Sequence, residues 1–148
     1  DNPFTDMLDR PAPPIACDTW FNSEPLTLES LKGRVIVLLF WGGFDERSAG
    51  RNTIEELRAI HVLLKDDAEV ALVGIHDGGK EPAEVRRYVE EYRIEFPVGR
   101  DAEPFRTFGA YDIHYIPQIV LIDKHGILRH VNVGDRLLEL IKSLRREG

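Results

Sequence analysis

Residues 34–48 read RVIVLLFWGGFDERS. The first eight are continuous, rich in β-branched and aromatic side chains, and do not alternate, which is the pattern of a strand buried on both faces. Gly42-Gly43 breaks that strand. Asp45 then reads as the N-cap of a helix with Ser48 in its first turn, and Ile54, Leu57, Ile60 or His61, and Leu64 follow at helical spacing. A buried strand feeding directly into a helix is the opening of an α/β unit.

Downstream, residues 69–76 (EVALVGIH) form a second buried strand, ended by Asp77-Gly78-Gly79. Residues 82–92 predict an amphipathic helix with Val85, Tyr88, Val89 and Tyr92 on one stripe. A short extended piece at 96–98 and a short helix at 104–108 come next. Residues 118–123 (QIVLID) and 127–133 (ILRHVNV) are strands joined by Lys124-His125-Gly126, hence a hairpin. The closing helix, 136–146, turns Leu137, Leu140, Ile141 and Leu144 inward. Upstream, Trp20-Phe21 and residues 26–28 flank the turn signal Asn22-Ser23-Glu24-Pro25, which predicts an N-terminal β-hairpin, followed by a helical turn over 28–31. The proline-rich residues 1–14 read as an extended lead-in. The fold class is therefore α/β, with a central mixed β-sheet flanked by helices on both faces.

The chain has 148 residues, 43% hydrophobic and 30% charged, which suits a single domain spanning residues 1–148. Its net charge of -7, without a dense Lys/Arg run, argues against nucleic acid as a partner. The longest apolar run, residues 35–41, is strand-sized and far short of a membrane span. Cys17 is the only cysteine, which rules out an internal disulfide, a zinc-finger ligand set and any CxxC motif. The start, Asp1-Asn2-Pro3-Phe4, carries neither an initiator Met nor a signal peptide, and reads as a piece excised from a longer chain.

Four strings, in order, now carry a resemblance. They are LTLESLKGRV (26–35), VLLFW (37–41), YRIEFPV (92–98), and YDIHYIP (111–117) followed by LIDKHG (121–126). The chain resembles the thioredoxin-like superfamily, and within it the TlpA/ResA-type redoxins close to the AhpC/TSA grouping, from about Leu26 to the C-terminus. The resemblance implies the thioredoxin fold, a thiol–disulfide oxidoreductase ancestry and an extracytoplasmic (periplasmic or membrane-tethered) location. In that family F-W-x-x-W-C-x-x-C sets two cysteines at a helix start, where the N-terminus lowers the attacking thiol's pKa. Aligned on Phe40-Trp41, the cysteine positions hold Asp45 and Ser48. A carboxylate and a hydroxyl form no disulfide, so the dithiol cycle is expected to be lost. Leu39, where many active relatives have Asp or Asn, cannot relay a proton.

Pro117 aligns with the family's cis-proline, beside which the backbone of Ile116 would be free to pair with an extended peptide. Trp41, Phe44, Asp45, Tyr115, Ile116 and Pro117 are the expected binding groove. Two functions stand side by side. One is a redox-inactive, monomeric module that binds a protein or peptide as part of a larger exported or tethered protein. The other is a thiol–disulfide oxidoreductase or antioxidant redoxin working through Cys17 or a partner's thiols. Among the five histidines no H-x-x-x-H or H-x-H spacing occurs, and no metal or cofactor is expected. His76 ends a strand near the rim of the site, and Gly78-Gly79-Lys80 lacks the full phosphate-loop spacing.

Overall fold

The computed structural model describes residues 6–148. Six strands, β1 (Cys17–Phe21), β2 (Val35–Trp41), β3 (Val70–His76), β4 (Val98–Asp101), β5 (Gln118–Ile122) and β6 (Leu128–His130), form one sheet in the order β1-β4-β3-β2-β5-β6. The helices are α1 (Ser48–Leu64), α2 (Pro82–Glu91), α3 (Arg106–Ala110) and α4 (Leu137–Arg146). β2 lies parallel to β3 and antiparallel to β5, so the sheet is mixed, as expected.

The unalternating sequence of β2 follows from its central place, since all seven of its residues are buried. Val35, Val37, Leu39 and Trp41 face a core completed by α1, α2 and α4, through residues such as Leu57, Val85 and Ile141. Ile36, Leu38 and Phe40 face the opposite core, closed by Ile15, Leu31, Phe108 and Tyr111. No helix among the described residues is long and apolar enough to cross a membrane.

The N-terminal β-hairpin is not formed. β1 instead pairs antiparallel with β4, Trp20 opposite Gly99, and residues 29–31 make a 3-10 turn. Asn22 supplies the reason. It turns the chain at φ 67, and its side-chain amide donates to the carbonyls of Ile94 and Phe96 at 2.9 and 3.0 Å, tying β1 to the approach of β4. The lead-in runs alongside β6: the Asp9 and Ala12 amides donate to Leu128 and Gly126, and the Leu128 amide donates to Arg10. Residues 1–5 of the lead-in lie outside the described part.

Candidate functional site

Parallel pairing sets Trp41 opposite His76, and antiparallel pairing sets Phe40 opposite Gln118. One end of the sheet therefore gathers the loop after β2, the loop after β3, and the Tyr115-Ile116-Pro117 approach to β5.

Gly43 is held on every side. Its N–H donates to His76 Nε2 at 2.9 Å, and its carbonyl accepts from the Tyr92 hydroxyl at 3.1 Å. A Cβ there would stand 2.1 Å from Tyr88 Cγ, so only glycine fits. His76 Nδ1 lies 2.8 Å from the Asp77 carbonyl oxygen. An amide can only donate and a carbonyl only accept, so the imidazole is neutral with its proton on Nδ1. Burial pushes the His76 pKa down, in keeping with that state. His76 does not face the rim as the sequence suggested. It is fully buried, between Trp41 and Tyr88.

Asp45 is not the helix N-cap. That position is Arg47, without a side-chain cap, and α1 begins at Ser48. The Asp45 carboxylate is taken by Arg47 instead: Oδ1 accepts the Arg47 backbone N–H at 3.1 Å and Nε at 2.8 Å, and Oδ2 accepts Nη2 at 3.1 Å. The hydrogen bonds from Arg47 hold the Asp45 carboxyl below the usual carboxylate range. Gly50 makes room, because a Cβ there would stand 2.6 Å from Asp45 Oδ2. Ser48 is exposed at the first position of α1.

The Ile116–Pro117 peptide is cis. The carbonyl of Ile116 is not free, however, since Arg47 Nη2 donates to it at 2.8 Å. Arg47 thus bridges Asp45 to the backbone before Pro117, and nothing in the sequence pattern singled it out.

Trp41 does not line the groove. It is 1% exposed, because its position in the β2 alternation points it into the core. Phe44 and Tyr115 are 40% and 55% exposed, as the groove requires, and they are joined by Phe105 at 50%, which sequence reasoning missed. These rings, with Ile113, His114 and Ile116, line a groove of about 410 Å³ whose rim carries Asp77. Lys80 Nζ lies 5.3 Å from the centre of the Phe44 ring. Beneath this end of the sheet, the Gln118 side-chain amide and Trp41 Nε1 are buried without a hydrogen-bond partner among the described residues.

Cys17 lies elsewhere. It is on β1, four strand spacings from β5, which at about 4.8 Å each is roughly 19 Å. Burial, then the charges of Asp101 and Asp18, push its thiol up to about 12. No group of three or more metal-ligating side chains converges among the described residues.

The model of the AhpC/TSA family matches residues 8–131. Among characterised proteins, DipZ of Mycobacterium bovis is 28% identical over 140 residues, covering 86% of this chain and 19% of DipZ. The chain thus spans about a fifth of the length of that relative. The thiol-disulfide oxidoreductase ResA of Halalkalibacterium halodurans is 28% identical over 127 residues, covering 80% of this chain and 69% of ResA. Among solved structures, a thioredoxin-like superfamily protein superimposes with a TM-score of 0.78 at 32% identity, covering 94% of this chain and 98% of the other. A thiol-disulfide isomerase from Corynebacterium glutamicum superimposes with a TM-score of 0.78 at 27% identity, covering 93% and 98%. The thioredoxin-like fold expected from the four strings is the fold observed.

Proposed function

The chain belongs to the AhpC/TSA family, and from that premise we propose that it is a redox-inactive thioredoxin-like domain that binds an extended segment of a protein partner. The observation that carries this reading is the groove beside Pro117. Three large rings, Phe44, Phe105 and Tyr115, stay exposed around one concavity, where a domain kept only as scaffold would turn them inward. Asp45 and Ser48, at the cysteine positions, leave no dithiol to oxidise. Arg47 adds a condition: an incoming backbone must displace its guanidinium to reach the Ile116 carbonyl. The short coverage of DipZ supports a role as one part of a longer protein, and the family resemblance supports an extracytoplasmic one.

The alternative, thiol–disulfide oxidoreductase activity, is favoured by the names of ResA and the isomerase. Cys17 is poorly suited to it. A thiol near 12 is on the order of one part in 10⁵ thiolate at neutral pH, and the thiolate is the nucleophile.

The test is an NMR titration of labelled protein with an unlabelled, aromatic-rich extended peptide. Shift changes centred on Phe44, Phe105, Tyr115 and Ile116, abolished in the Phe44→Ala, Tyr115→Ala double variant, are expected. Binding that ignores both substitutions would contradict the proposal.

A further inference from the structure

At the opposite end of the sheet, the edge of β3 is open. β3 pairs with β2 along all seven of its residues, but with β4 only along Gly74, Ile75 and His76. The Gly74 amide donates to the Pro97 carbonyl at 2.9 Å. The next rung of a parallel ladder would run from the amide of residue 97 to the carbonyl of Leu72, and proline has no N–H to give. Asn22 meanwhile draws the carbonyls of Ile94 and Phe96 toward the end of β1. Leu72 is therefore left with an N–H and a carbonyl directed to the β4 side and no ladder partner there.

A cavity of about 190 Å³ lies against this edge. Its lining is apolar on both sides of the strand plane: Leu64 of α1 on one, Leu26 and Leu31 on the other. The charged groups in the lining are all basic or titrate to a cation: Arg34, Lys65 and His61. Neither Arg34 nor Lys65 pairs with a carboxylate among the described residues, although the whole chain has a net charge of -7.

We propose that the open edge of β3 at residues 70–73 is a docking site for a short extended segment of a partner polypeptide, apolar at its centre and acidic at its flanks. The added strand takes its main-chain bonds from Leu72, as in β-strand addition. Its alternate side chains enter the Leu64 side and the Leu26–Leu31 side, and flanking carboxylates meet Lys65 and Arg34. The site is independent of the aromatic groove.

The probe is the acetylated and amidated pentapeptide Glu-Val-Leu-Val-Glu, titrated into labelled protein by NMR at low salt. Shift changes centred on residues 70–73 and slowed exchange of the Leu72 amide are expected. The Arg34→Glu, Lys65→Glu double variant, checked for folding by circular dichroism, should bind roughly tenfold more weakly. Methylation of the peptide's central amide nitrogen should weaken binding in the same sense, and a Lys-flanked peptide should not bind. Equal binding by the Lys-flanked peptide, an unchanged Leu72 exchange rate, or shifts confined to Phe44 and Tyr115 would each overturn the proposal. A dimer that protects the Leu72 amide without peptide would give the edge to a second copy, and would overturn it too.

Discussion

At Asp45, both carboxylate oxygens are occupied by a single residue, Arg47, whose side chain is 68% exposed. The guanidinium is open to water although the Asp45 side chain is only 7% exposed, and Asp45→Ala is expected to lower stability by about 0.5 kcal/mol in urea denaturation at neutral pH. Because the folded carboxyl is held low, that contribution is complete above the ordinary Asp value of about 4 and is lost as pH falls through the folded one. Arg47→Ala should strengthen binding of an extended peptide about fivefold, by freeing the Ile116 carbonyl. No change in affinity would remove Arg47 as a gate. Gln118→Met should raise stability by about 1 kcal/mol, since it removes a buried amide with no partner among the described residues. That positions 45 and 48 hold no cysteine was legible because residue identity alone decides it. The Arg47–Ile116 bond was not, because it joins residues 69 apart and depends on how two loops meet.

The loop after β2 is an element fixed by β3 and α2 through His76, Tyr88 and Tyr92, all converging on Gly43. Gly43→Ala should destabilise the fold by about 3 kcal/mol, because its Cβ would enter the Tyr88 side chain. His76 makes the same contact dependent on pH. Its folded pKa lies below the ordinary value, so its stabilisation is complete above about pH 6.5 and declines as pH falls from there to the folded pKa. The loss between about pH 6.5 and pH 5 is bounded at about 2 kcal/mol for one proton, and a His76→Gln variant should lack it in paired denaturation curves. The groups acting on this imidazole are Asp77, Arg100 and Lys80, with Tyr88 stacked on its face. Elements buried on both faces, such as β2 and β3, were legible to within one residue, since an unbroken apolar run has one reading inside a sheet. The hairpin expected around residues 22–25 was not formed, because turn residues announce a reversal without naming the strand that receives it. Here that strand is β4, chosen by long-range bonds from Asn22.

Across the whole molecule, the two ends of the sheet differ in chemistry. The end with Pro117 carries exposed aromatic rings around a groove, and the other carries basic groups around an open strand edge. The only thiol is on the outer strand β1, away from both Pro117 and the Asp45–Ser48 turn. The proposed role, binding without redox chemistry, rests on this arrangement. The most direct test is catalysis of insulin reduction by dithiothreitol, followed by turbidity, with the parent chain and Cys17→Ser side by side. Both should match the rate with dithiothreitol alone. A parent rate comparable to an active thioredoxin, abolished by Cys17→Ser, would contradict redox inactivity and make Cys17 the working thiol.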